Sequence, residues 1–193
     1  MSYFTEFWPS DNTDPIERLF IQWGFSQVFP AKTMCAHVTT WNKNSSVKFR
    51  TDVAMMCKLG FDIKLADMSN CRTAVQNYNR LKPVVLEGDM YRLVSPYGSN
   101  HTSTMYVGKD KDKAVVFAFD IHPRYAEKTL PVRLQGLDAD KMYRVKEINL
   151  MPGANSSLSG NGEVFSGEFL MNVGLNLFTT QQLNSRVIEV VAE

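Results

Sequence analysis

The sequence predicts an α+β protein whose two parts follow different rules. In residues 1–88, helical and strand-like patterns alternate; from residue 89 to 193, short strand-like runs are separated by turn signals. The first pattern is that of repeated β/α units around a parallel sheet, and the second that of an antiparallel sandwich or barrel. Two short parallel strands cannot cover their own faces, so the first part reads as a piece cut from a larger barrel.

Taken in order, the first helix is expected from Pro15 to Val28, with Ile16, Leu19, Phe20 and Trp23 along one face. Asp14 is its N-cap, and Pro15 opens the helix where its missing N–H costs nothing. Glu17, three residues after the cap, completes a capping box. After Pro30, the apolar run from Met34 to Val38 is expected to be a buried strand. A polar loop, TTWNKNSS, comes next. A second helix is expected to start near Thr51 and stop at Leu59, with Gly60 as the residue that ends it. Phe61 to Leu65 alternates apolar and polar and reads as a strand. Ser69 or Asn70 is expected to cap a third helix carrying Ala74, Val75, Tyr78 and Leu81, which Pro83 ends or kinks.

Beyond Asp89, strands are expected at Met90 to Ser95, Thr104 to Val107, Ala114 to Asp120 and Leu130 to Gln135. Three more are expected at Tyr143 to Ile148, Gly167 to Val173 and Arg186 to Val191. AVVFAF, residues 114–119, is apolar on both faces and should be the central strand. The glycine-containing segment GANSSLSGNGE lacks a GK[ST] ending and reads as a loop, not a phosphate cradle.

Composition narrows the function classes. A net charge of +1 implies no large basic surface for nucleic acid. No apolar run is long enough to cross a bilayer. The first residues, MSYFTEFWPSD, lack the basic region and apolar core of a signal peptide; a cytoplasmic protein is expected. The three cysteines, Cys35, Cys57 and Cys71, form no CxxC pair and read as buried reduced thiols. His37, His101 and His122 are scattered without ligand spacing, so no metal and no cofactor is expected. The sequons at Asn44, Asn100 and Asn155 matter only in a secreted eukaryotic protein. Arg50 and Arg72 read as solvated or ion-paired surface residues.

One carboxylate stands apart. Asp14 and Glu17 are accounted for by capping. Asp11 is not. It lies three residues before the cap, in a polar turn behind Trp8 and Pro9. Two readings are open: an Asx-turn that shapes the loop, or a catalytic acid at the mouth of a strand-to-helix turn, where β/α architectures place such groups.

The stretch WPSDNTDPIERLFIQWG, residues 8–24, resembles the C-terminal part of glycoside hydrolase family 36, the microbial α-galactosidases. CAHV at 35–38, FRTDVAMMCKLGFDI at 49–63, YRLVSPY at 91–97, PVRLQGLD at 131–138, YRVKEINL at 143–150 and SGEFLMNVGL at 166–175 are similar to that family, in its order. The resemblance implies that residues 1–88 are the C-terminal remnant of a (β/α)₈ catalytic barrel, with its last three helices and last two strands. Residues 89–193 would then be a C-terminal antiparallel β-sandwich domain. It implies retaining hydrolysis of terminal α-galactosides of the melibiose and raffinose type, in which one carboxylate attacks the anomeric carbon and a second acts as acid and then base. The first aspartate of the family's SDxxD-type turn is the acid/base, and it corresponds to Asp11. Trp8 occupies the family's aromatic position beside that turn and is either a substrate-binding wall or ordinary packing. His37 would lie at the C-terminal end of the seventh barrel strand, as a site residue or a structural one. The family's nucleophile motif, KWDxN, does not occur in these residues. The chain is therefore expected to be inactive by itself and to self-associate through barrel faces left exposed. A non-catalytic carbohydrate-binding or assembly module built on the β domain is the alternative.

Overall fold

A computed structural model describes residues 5–41, 44–64 and 71–193. The chain is α+β, with few helices and a mostly antiparallel set of strands. Helix α1 spans Pro15–Phe25. A single 3₁₀ turn at Ala31–Thr33 leads into strand β1, Cys35–Val38. Helix α2, Val47–Ala54, is followed by strand β2, Lys58–Phe61, which pairs parallel to β1. Helix α3 covers Arg72–Glu87. The backbone around Phe7 joins the parallel pair through a bridge to Met34.

Three local expectations change here. Helix α1 stops three residues early, where the Ser26 hydroxyl donates to the Trp23 carbonyl at 2.7 Å. Helix α2 begins near residue 47 and not near Thr51, because Ser46 caps it by accepting from the Phe49 N–H at 3.0 Å. The polar loop thus supplied a cap that its composition disguised. Gly60 consequently ends no helix: it lies inside β2 opposite His37, and the strand sits earlier than the expected Phe61 to Leu65. Leu65, Ser69 and Asn70 lie outside the described residues. Pro83 falls inside α3, which runs on to Glu87 before Gly88 closes it.

The remaining strands are β3 (Asp89–Val94), β4 (His101–Val107), β5 (Lys113–Asp120), β6 (Met142–Ile148), β7 (Val164–Ser166) and β8 (Asn184–Ala192). They form a six-stranded antiparallel sheet in the order β3-β4-β5-β8-β6-β7. The last strand therefore inserts between β5 and β6, and AVVFAF is central, as its two-sided apolar pattern requires. Leu130 to Gln135 contributes only an isolated bridge, Val132 to Leu175. Gly167 to Val173 is not a strand: residues Gly167–Asn172 form a short helix, α4, capped by Ser166 on the Phe169 N–H. Its ends are set by tight contacts. A side chain at Gly174, where φ is +89°, would sit 2.3 Å from the Val132 carbonyl oxygen.

Each face of this sheet is covered differently. On one face, Tyr106, Phe117 and Val187 pack against Leu19 of α1, Phe49 and Val53 of α2, and Leu81 and Val85 of α3. On the other, Val116, Val145 and Ile188 pack against Leu134, Leu170 and Leu175. That second layer consists of loops, α4 and the isolated bridge, not regular strands. Helices and sheet share one core. A smaller cluster of Met34, Ala36, Val38, Ala54 and Cys57 fills the space around β1 and β2.

A buried polar knot ties α2 to the sheet. Asp52 is 0% exposed. Its carboxylate accepts from Lys48 Nζ at 2.5 Å, from Ser185 Oγ at 2.7 Å and from the Asn149 amide. Lys48 also donates to the Ser185 carbonyl at 2.7 Å. Asn149 has a positive φ of 59°, a conformation asparagine tolerates better than most residues. Replacing Asp52 with alanine leaves the partly buried Lys48 ammonium with Ser185 alone and removes the acceptor of two buried donors, Ser185 Oγ and the Asn149 amide. Asp52→Ala is therefore expected to lose about 3–5 kcal/mol of unfolding free energy, measured by urea denaturation; a loss below about 1 kcal/mol would show that the knot is energetically idle.

Candidate functional site

The turn that precedes α1 meets the C-terminal end of β1. The backbone fixes this meeting: Phe7 N–H donates to the Thr33 carbonyl at 2.8 Å, and Cys35 N–H to the Phe7 carbonyl at 3.0 Å. Thr13 and Thr39 share a hydroxyl hydrogen bond of 2.7 Å, which pins the turn to the end of β1. Arg50 then donates to the Thr39 carbonyl at 2.6 Å. Arg50 is thus a brace, where composition suggested a surface cation.

Within the turn the side chains divide the work. Ser10 Oγ accepts from the Asn12 N–H at 3.1 Å, and Asn12 Oδ1 from the Asp14 N–H at 3.0 Å. Asp14 Oδ1 accepts from the N–H groups of Ile16 and Glu17 at 2.9 and 3.2 Å. Asp14 is the helix cap as expected, but the reciprocal arm of the capping box comes from Asn12 and not from Glu17. Asp11 is exposed and makes no hydrogen bond or ion pair among the described residues. The Asx-turn in this loop belongs to Asn12.

Trp8 is half-buried, with its ring centroid 3.8 Å from that of His37 at an interplanar angle of 42°. Gly60 makes this arrangement possible: a Cβ there would lie 1.9 Å from His37 Cδ2. Partial burial pulls the His37 pKa down, the Arg18 charge pulls it further, and Asp62 opposes both. The imidazole is therefore neutral over a wider pH range than a free histidine. Trp41, 55% exposed, follows β1 and donates its backbone N–H to Thr39 Oγ1 at 3.2 Å.

Beneath this surface lies Arg18, 2% exposed. Its Nη1 donates to the Ser10 carbonyl at 3.4 Å and its Nη2 to the Cys35 carbonyl at 3.2 Å. Its guanidinium carbon is 5.3 Å from the Trp8 ring centroid. Nε has no partner, and no carboxylate pairs with the group among the described residues. Burial lowers the Arg18 pKa. Sequence reasoning missed Arg18 and Gly60. The one signal for Arg18 was its position beside Leu19, at the edge of an apolar helical stripe, where a solvated arginine would normally not point.

Elsewhere the expected groups do not assemble. His101 lies in the sheet, bonded through Nδ1 to Asp120 at 2.8 Å. Burial pushes the Cys57 thiol up to about 12 and also raises that of Cys35. Among the described residues, no three His, Cys, Asp or Glu side chains converge as a metal site would require, and no helix is long and apolar enough to cross a membrane.

Known proteins share this chain's sequence pattern and fold. Residues 1–88 match the family model described as Melibiase, and residues 101–190 match the Glycosyl hydrolase family 36 C-terminal domain. The chain is 34% identical over 199 residues to Alpha-galactosidase 2 of Hypocrea jecorina, covering 97% of this chain and 25% of that protein. It is 30% identical over 182 residues to Alpha-galactosidase 1 of Pediococcus pentosaceus, covering 89% and 23%. The fold superposes on the family 36 α-galactosidase AgaB of Geobacillus stearothermophilus with a TM-score of 0.85 at 28% identity, over 99% of this chain and 26% of that one. A variant of AgaA from the same organism, in complex with raffinose, gives a TM-score of 0.80 at 27% identity, over 95% and 25%. The chain thus spans about a quarter of the length of the proteins it matches.

The Gly60–His37 contact can be tested directly. Gly60→Ala must displace either the β2 backbone or the imidazole from Trp8. It is expected to cost about 1–3 kcal/mol through overpacking and to shift tryptophan emission. An unchanged melting temperature and spectrum would mean that His37 yields freely.

Proposed function

Because this chain belongs to glycoside hydrolase family 36, we propose that it forms the C-terminal part of a retaining α-galactosidase and supplies that enzyme's acid/base, Asp11. The observation that carries the reading is the uncommitted Asp11 carboxylate. Every polar neighbour in its turn is used by the fold, and the turn opens at the strand ends where β/α barrels build their sites. In this reading residues 1–88 are the closing segment of a (β/α)₈ barrel, and the antiparallel domain covers its helices from outside.

The chemistry follows from two carboxylates about 5 Å apart. The nucleophile comes from a part of the barrel outside this sequence, which contains no KWDxN motif. It attacks the anomeric carbon while Asp11 protonates the departing glycosidic oxygen. Asp11, now ionised, then takes a proton from water, which releases galactose with its configuration retained. Trp8 offers an aromatic wall to the sugar beside the acid/base. Relatives solved in complex with raffinose and stachyose support α-galactosides of that kind as substrates.

Two experiments test the reading. The 193-residue chain alone is expected not to hydrolyse p-nitrophenyl α-galactoside; turnover at about 1 per second or faster would overturn the division of the carboxylates. In the full-length enzyme, Asp11→Ala should cut kcat/KM about 100- to 10,000-fold on substrates with poor leaving groups and much less on those with acidic ones. On the latter, azide should partly restore turnover by replacing activated water in the second step. Asp14→Ala should instead lose about 0.5–2 kcal/mol of stability through the missing cap, with no azide rescue. The reverse pattern would exchange the two roles.

A further inference from the structure

We propose that Arg18 is a positioning residue for the acid/base: from inside α1 it holds the peptide unit that carries Asp11. The proposal rests on the reading of Asp11 given above. The Asp11 side chain makes no hydrogen bond or ion pair among the described residues, so its polar placement comes through its backbone. The Ser10 carbonyl belongs to the peptide bond that joins Ser10 to Asp11. Arg18 Nη1 holds that carbonyl, Nη2 holds the Cys35 carbonyl at the start of β1, and the guanidinium lies over Trp8. One rigid fork therefore locks three elements: the turn, the strand and the indole. A lysine has neither the fork nor the flat face for this.

Energetics argue that Arg18 is not there for stability. It is 2% exposed, lacks a carboxylate partner among the described residues, and leaves Nε unbonded. A buried charge so poorly compensated is costly, and an apolar side chain of similar volume would suit the core better. Such a cost persists where geometry at a reacting centre is gained, since a misplacement of about 1 Å can cost about 100-fold in rate.

The test uses the full-length enzyme and aryl α-galactosides of graded leaving-group acidity, with Arg18→Lys beside Asp11→Ala. In the first step, which kcat/KM reports, a misplaced acid should hurt only substrates that need protonation. Arg18→Lys is expected to lower kcat/KM about 10- to 100-fold on phenyl α-galactoside and by less than about threefold on the dinitrophenyl substrate. If Asp11→Ala fails to steepen the leaving-group dependence, the acid/base reading falls and this inference with it. If Asp11→Ala steepens it and Arg18→Lys loses kcat/KM equally on all substrates, or on none, the Arg18 inference alone is overturned. Should Arg18→Lys not fold, Arg18→Gln is read in the same way. Failure of both to give folded enzyme would assign Arg18 to the fold alone and overturn the inference.

Discussion

Asp52 is the interaction on which the rest of the architecture depends. Its carboxylate sits at zero exposure between α2 and the last strand, and every partner comes from a different stretch of chain. Lys48 is one turn back on the same helix, Asn149 follows β6, and Ser185 begins β8. Sequence separations of 97 and 133 residues are thereby closed at one point. A buried ion costs so much unpaired that α2 can dock on the sheet in only one register. Hydrophobic packing alone would tolerate sliding, because Phe49 and Val53 face a broad apolar surface made by Phe117, Phe119 and Val187.

With α2 fixed, the small parallel pair follows. The segment that leaves α2 passes Met56 and Cys57, whose carbonyls accept from the Tyr106 and Tyr78 hydroxyls at 2.8 and 2.9 Å. One tyrosine lies in the sheet and the other in α3, so both anchor the approach to β2. The register of β2 against β1 then sets Gly60 opposite His37, and the Cβ-less position lets the imidazole reach Trp8. A chain of contacts thus runs from the antiparallel sheet through two tyrosines and two short strands to the turn that carries Asp11. The β domain is the buttress that holds the strand ends in place.

Much of this was legible in the residues. The cap at Asp14 and the spare carboxylate at Asp11 could be separated by counting back from the helix, because capping chemistry is local. AVVFAF announced a strand buried on both faces. Most of what escaped depends on distant partners. Ser46 is the exception: its cap on the Phe49 N–H is as local as that of Asp14, but it was hidden in a polar loop. The stretch Gly167 to Val173 alternates well enough for a strand, yet Ser166 and the tight Gly174–Val132 contact select a helical turn. Arg18 is the sharpest case. Its helix position is visible in sequence, but nothing local says that an arginine will turn inward.

The two buried charged groups at opposite ends of this contact chain are solved in different ways, and the difference is informative. Asp52 has donors on both oxygens and serves the fold. Arg18 reaches two carbonyls and a ring, keeps one N–H unbonded and lacks a counter-ion among the described residues. Natural cores rarely leave a buried donor unpaired, but Arg186 Nε in the β domain is also unbonded, so the open Nε alone does not set Arg18 apart. The partial satisfaction is also one-sided: both carbonyls that Arg18 holds belong to the turn and strand framing Asp11, and none to the sheet. A guanidinium placed for packing or stability would be indifferent to that choice. One placed to orient a carboxyl that has no hydrogen bond or ion pair of its own among the described residues would make it, because the backbone is what remains to be held.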